Sequence, residues 1–295
     1  MKTPARRFLL PLLVFALTPL GAQKTDPEIK GNLNWEHMIF DVTIMLDLQM
    51  AGIKLPAGRV QAETLLEDKI SFFIESFIMD VQADSSTTLG DLVNRGELAA
   101  GSFARNTRYS PSALSTDLSA ITERVAVNLT GIAAELIRHS RPRTINPPLI
   151  PLPVRDYTGI VIIADESLPV HGRYSSALAV PCLFPKIWDS EMNLLYGRDV
   201  IDPQLGKETA VVRYVSRESI MRAVPSALDD DLITRVGENP LRIMARGIFG
   251  ASPTDPVIDR EDALLILSTE NNRRLLREGR IAIVLDKKQL TRNIP

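Results

Sequence analysis

The sequence predicts an α+β protein: two small mixed or antiparallel sheets, each packed with one main helix, joined by a proline-rich connector. Three observations carry this reading. Residues 40–50 alternate apolar and polar, residues 59–79 repeat every three to four, and residues 140–154 hold five prolines. A period of two marks a half-buried strand and a period near 3.6 an amphipathic helix. Proline fixes φ and removes an amide donor, so the proline-rich stretch reads as an extended connector. The expected units are a segment 1–22, a first domain over 24–140, the connector 141–154 and a second domain over 147–295, the two domains being separable.

The chain opens with Lys2, Arg6 and Arg7, then an uncharged run from Phe8 to Leu20, then Leu20-Gly21-Ala22. That order is the pattern of a secretory signal peptide. The run is short and carries Pro11 and Pro19, which argues against a membrane span. Cleavage near Ala22 and a periplasmic or envelope-associated product are expected. Residues 24–34 read as a loose polar leader.

In the first domain Phe40, Val42, Ile44, Leu46, Leu48 and Met50 fall on one side of a strand. Arg59 to Met79 follows as a long helix with a stripe of Ala62, Leu66, Ile70, Phe73 and Phe77. Asp80 to Ala83 suggests a short strand and Thr88 to Asn94 a helical turn. Between Thr122 and Thr130 the β-branched alternation favours a strand over a helical stripe. Ile132 to Arg138 reads as a short helix.

In the second domain Gly159 to Ala164 reads as a buried strand. Leu183 to Trp188 and Asn193 to Tyr196 suggest a hairpin, and Thr209 to Val215 a β-branched strand. Ser216 to Ala223 reads as a short helix, and Leu241 to Phe249 as one strand. Asp259 is expected to cap a helix that runs on toward Gly279, with Glu261 and Asp262 suiting its dipole. Arg280 to Asp286 closes with a strand.

Loss of the first 22 residues removes three of the 34 basic residues and none of the 36 acidic ones, for a net charge near −5. Such a chain has no basic field for nucleic acid. Cys182 is the single cysteine, so no internal disulfide forms and no lipidation site follows the leader. Its apolar setting reads as a buried thiol packed as a small hydrophobe. His37, His139 and His171 stand apart, without metal-type spacing. A triad of His171, Asp165 and one of Ser167, Ser175 or Ser176 can be drawn, but no spacing supports it. The acidic runs Asp229–Asp231 and Asp255–Asp262 lack the calcium-loop pattern. No catalytic, cofactor or metal residue is expected, and no cofactor.

At residues 157–197 the chain reads YTGIVIIADE and then PCLFPKIWDSEMNLLYG. This resembles bacterial envelope proteins of the LPP-twenty lipoprotein type and relatives near flagellar assembly protein T. The shared positions are Tyr157, Thr158, Gly159, Asp165, Pro185, Lys186, Ile187, Asp189, Tyr196 and Gly197. The chain departs from the pattern by lacking the lipidation cysteine and by inserting HGRYSSALAV. The resemblance implies a secreted, non-enzymatic structural or assembly protein, with envelope or flagellar-motor proteins as partners. The alternatives are a periplasmic ligand- or polymer-binding module and an unrecognised hydrolase. The motif itself reads as architectural: Asp165, Asp189 and Tyr196 should be paired near strand ends.

Overall fold

The computed structural model describes residues 26–99, 101–208, 211–221 and 230–294. The signal-peptide reading therefore lies outside the described residues, as do parts of the 209–215 strand and 216–223 helix expectations. The first half folds as β1 (Glu28–Asn34), β2 (Ile39–Asp47), α1 (Arg59–Met79), α2 (Leu89–Asn94), α3 (Ser102–Arg105), β3 (Thr107–Tyr109), β4 (Ala113–Leu114), β5 (Ala120–Asn128) and α4 (Leu129–Leu136). Phe40, Val42, Ile44 and Leu46 face inward from β2 and are buried, as is Leu48 just beyond the strand. The helix α1 lays Ala62, Leu66, Ile70, Ile74 and Ile78 on this face. Phe73 and Phe77 flank that stripe and stack on Phe40, with ring centroids 6.3 and 4.4 Å away. Thr88 opens α2 with a capping box closed by Asp91. Asn128 caps α4 through its side-chain oxygen.

Two expectations fail here for local reasons. The stretch 24–34 is not a loose leader, because Glu28–Asn34 is a strand paired antiparallel with β2 along its whole length. Its polar residues face out while Gly31 and Leu33 face in. Met50 is exposed, because β2 ends at Asp47, whose carboxylate accepts the Met50 amide at 2.9 Å and turns the chain.

The second half continues with β6 (Ile160–Ile163), β7 (Leu168–Pro169), β8 (Ser176–Ala177), β9 (Ile187–Asp189), β10 (Leu194–Tyr196), α5 (Leu205–Glu208), β11 (Arg213–Ser216), α6 (Arg217–Met221) and α7 (Asp230–Val236). Then follow β12 (Leu241–Met244), β13 (Gly247–Phe249), β14 (Asp255–Ile258), α8 (Arg260–Leu267), α9 (Glu270–Arg277), β15 (Ile281–Leu285), α10 (Lys287–Leu290) and β16 (Thr291–Ile294). The α+β class is borne out, and this half spreads its strands over several small sheets. Strands β11-β15-β6-β12 form a parallel sheet, and β10-β9-β14-β13 a mixed one. The parallel strands are near-continuous apolar runs because both faces are covered. Val161, Val215, Ala282 and Val284 meet Leu232 and Val236 of α7. Ile160, Ile162, Ile281 and Ile283 join the main core on the other face.

The expected single strand over Leu241–Phe249 is two strands in different sheets. The expected helix from Asp259 is broken at Ser268, and Thr269 caps the second piece through its hydroxyl. Asp259 sits at the N-cap of α8 but gives its carboxylate to Arg246 at 2.5 Å instead of to the helix amides.

The two halves meet along a seam of backbone hydrogen bonds. The terminal strand β16 pairs antiparallel with β1, so the last residues complete the six-stranded sheet of the first half, in the order β16-β1-β2-β5-β3 with β4 also on β5. Leu183 and Phe184 donate their amides to Gln82 and Ala83 carbonyls at 3.1 and 2.8 Å, and Ser252 donates to Ser85 at 3.0 Å. Trp35 packs edge-on to Tyr214 with centroids 6.1 Å apart. One hydrophobic core runs through both halves. Ending the chain after Leu290 removes β16 and leaves β1 as an open edge. That truncation is expected to cost about 2–4 kcal/mol, from several lost hydrogen bonds at roughly 1 kcal/mol each. Urea unfolding of the intact and shortened chains measures it.

Candidate functional site

The residues singled out in the sequence lie at the start of β6, in and beside the β9–β10 hairpin, and, for Asp165, just beyond the end of β6. Tyr157 donates its amide to the Asn272 side chain at 3.0 Å, and the Arg155 guanidinium lies 5.1 Å over its ring. The Thr158 hydroxyl donates to the Val236 carbonyl at 2.8 Å and accepts the Asn239 amide at 2.9 Å. Gly159 leaves room for that same turn, since a Cβ there would sit on Val236 backbone. Tyr157-Thr158-Gly159 is thus a clamp that seats α7 and its C-terminal turn against the parallel sheet.

Asp189 closes the hairpin. Its carboxylate accepts the amides of Glu191 and Asn193 at 3.0 and 2.8 Å and the Asn193 side-chain amide at 2.8 Å. These bonds hold Met192 in the left-handed region, at φ 62°. The fully buried Tyr196 donates its hydroxyl to the Val211 carbonyl at 2.7 Å, and burial pushes its pKa well up. Asp165 pairs with Arg217 through both carboxylate oxygens, one bond at 2.7 Å. The Arg217 hydrogen bond holds the Asp165 carboxyl below its usual range despite burial. The Asp165 carboxylate is thereby committed to Arg217, while the His171 ring stands against Phe249. The His171–Asp165 pairing that a triad needs therefore does not form.

One further acidic residue organises this region. Asp255 was grouped by sequence with the acidic run 255–262 and read with it as a helix cap, yet it opens β14 and is fully buried. It accepts the Lys186 amide at 3.1 Å, the Thr254 hydroxyl at 2.9 Å and the Trp188 indole at 3.4 Å. Burial raises its pKa, and these donors act against the rise. Cys182 lies beside it, also fully buried. Its backbone exchanges hydrogen bonds with the Tyr214 hydroxyl, at 3.1 and 2.9 Å. Burial, with the Asp255 charge next, drives the thiol pKa far up, so Cys182 is a thiol held protonated. The only sequence signal for Asp255 was its place in the apolar stretch DPVI, bounded by turn residues.

Where the hairpin approaches α2, a cleft of about 330 Å³ opens on the seam. Its charged lining comes from both halves: Asp84, Arg95 and Glu97 from the first, Lys186, Arg198 and Asp199 from the second. Several of these are committed. Asp84 accepts the Ser86 and Thr87 amides at 2.8 and 2.9 Å. Burial works against its charge, but these donors and the nearby Lys186 ammonium outweigh it and lower its pKa. Asp199 takes Arg143 at 2.7 Å. The Arg198 guanidinium lies 5.3 Å over the Phe184 ring. The Lys186 ammonium makes no ion pair among the described residues. Gly197 keeps the wall thin beside Asp199 and the Lys186 stem. Pro185, next to Lys186, is buried. The arrangement can hold an anionic group at Lys186 and Arg198. Among the described residues no cluster of three histidine, cysteine or acidic side chains could hold a metal ion.

Replacing Tyr196 by Phe leaves the Val211 carbonyl without its hydroxyl donor, at a cost of about 1–2 kcal/mol. Asp189→Ala orphans two hairpin amides and should cost about 1–3 kcal/mol. Thermal melting checks both. Asp165 adds a pH dependence. Its folded pKa is depressed, so its contribution is present above the unfolded carboxylate pKa and lost as pH falls through the folded value. An Asp165→Asn variant should therefore differ most from the wild type at neutral pH and converge with it in acid.

Residues 26–135 match the family model for the N-terminal domain of Treponema pallidum Tp0624. Residues 159–287 match the model for the second domain of the same protein. No curated protein matches the chain. These matches overturn the resemblance to LPP-twenty lipoproteins and flagellar assembly protein T, which rested on structural strand-and-turn motifs. In this chain Tyr157, Thr158 and Gly159 seat α7, Asp189 and Tyr196 hold the hairpin, and Asp165 pairs with Arg217 of α6. The chain is similar to the first two domains of Tp0624, in the same order and on either side of the proline-rich connector.

Proposed function

We propose that this chain is an exported, non-catalytic structural or assembly protein of the cell envelope. The observation that carries the reading is the seam, where two domains are joined by strand pairing and a common core. A body held this way offers surfaces fixed before a partner arrives, which lowers the ordering cost of association. The basic, apolar and small-residue order of the first 22 residues supports export. Its partners are envelope proteins, and its acidic balance disfavours nucleic acid. The flagellar association depended on the overturned resemblance and is dropped.

A second reading, a module for an envelope polymer or small molecule, draws on the seam cleft. In it Lys186 and Arg198 hold an anionic group. Lys186→Glu separates the two readings, because it should abolish binding of an anionic polymer while leaving capture of protein partners intact.

Cell fractionation with N-terminal sequencing tests export. A mature chain beginning near Gln23 in the periplasmic or envelope fraction is expected, crosslinking there to envelope proteins. An intact Met1 in the cytosol would overturn the proposal.

A further inference from the structure

A second cleft of about 460 Å³ lies between α1 and the β3–β5 edge. Its floor is Glu123, which occupies a core position of β5. Ile121 and Val125 on either side of it are buried, and its partner across the strand pair is the buried Ile44. Glu123 itself is only 6% exposed. It takes no hydrogen bond and no ion pair among the described residues, yet it lines the cleft. The side chain is packed along its stem while its carboxylate oxygens open onto the cleft, where donors or charge from a bound group would meet them.

The neighbours do not supply them. Glu63 and Glu67 of α1 line the same cleft. Arg59, the one cation there, is committed to Glu63 at 3.0 Å, and Ser112 also donates to Glu63, at 2.6 Å. Glu67 has no ion pair among the described residues. Burial first, then repulsion from Glu67 and Glu63, raises the Glu123 pKa. The half-exposed Tyr109 ring stands at the rim and offers a π face and a hydroxyl. Two uncompensated carboxylates thus converge on open space beside an aromatic ring. The carboxylates are not grouped to hold a metal ion, so the fitting cation is an organic one that brings its own reach.

We propose that this cleft binds a primary ammonium group, carried either by a free polyamine or by a lysine side chain of a partner polypeptide. An ammonium has three donors in a compact head, enough to bond Glu123 and Glu67 together. Its alkyl stem passes along Tyr109. The inference is independent of export and of the seam cleft.

Calorimetric titration of the purified protein tests it, with cadaverine and a tetralysine peptide as probes at low and moderate salt. Saturable binding that weakens with salt is expected. Glu123→Gln should reduce affinity by roughly tenfold or more, as removal of a buried charge partner does. Glu67→Gln, on the exposed helix surface, should reduce it less. Glu75→Gln, on the outer face of the same helix, should leave it unchanged. Glu123→Gln also reports on folding. The raised Glu123 pKa contributes stability below the unfolded carboxylate pKa that is lost as pH rises through the folded value. The variant, facing the same Glu63, Glu67, Arg59 and Tyr109, should therefore melt no lower than the wild type at pH 7. Tighter binding of tetralysine than of cadaverine would assign the source to a partner chain, and the reverse to a free amine. Absence of binding by both probes, or equal losses in the Glu123 and Glu75 variants, would overturn the proposal.

Discussion

The structure depends on one constraint: the first sheet is finished by the last strand. Thr291–Ile294 pairs with Glu28–Asn34, which would otherwise be an unpaired edge. Because the chain must return to its start, the second half is carried back onto the first. The contacts behind this pairing follow from it. Trp35 donates its amide to Leu290 at 2.9 Å and meets Tyr214 with its ring. The Ser216 amide reaches the Glu36 carboxylate at 3.2 Å. The segment 82–85 then receives amides from Leu183, Phe184 and Ser252. With the seam supplying the cohesion, the proline-rich connector has only to span the distance, which an extended chain does without regular structure.

Polar residues of the second half are spent on its turns and strand ends. Asp189 shapes the hairpin turn, Asp255 anchors the strand that faces 82–85, and Thr158 fixes the turn after α7. Each is a buried or half-buried group with its hydrogen bonds met inside the protein, as burial demands. Glu123 departs from that pattern, and the departure is what marks its cleft as a place for an outside charge. The Tp0624 second-domain match stops at residue 287, before the strand that closes the seam.

Local periodicity was legible in the sequence where one face is buried and the other wet. Phe40 to Met50 and the helix from Arg59 to Met79 are of this kind; the helix runs between the residues read, while the strand stops at Asp47, three residues short of Met50. Elements defined by distant partners were not legible. Glu28–Asn34 looks polar because its outward residues are polar, and only pairing with β2 makes it a strand. Thr291–Ile294 carries no apolar alternation at all, and its state is set by β1 nearly the whole chain length away. The break at Ser268 was hidden because α8 and α9 continue one helical pattern, while the Thr269 hydroxyl restarts it. The candidate sites were less legible still. Glu123 shows only as an acid within the alternation Ile121, Glu123, Val125, and its burial requires α1 overhead. Asp255 read as part of an acidic helix-cap run, and only the mixed sheet encloses it.

The central claim is that the seam makes the two halves unfold as one body, in place of the separable domains that the proline-rich connector suggests. Differential scanning calorimetry of the intact protein tests this most directly. A single transition, with calorimetric and van't Hoff enthalpies in agreement, is the result the account predicts. Two separated transitions, or one half melting while the other keeps its heat absorption, would contradict it.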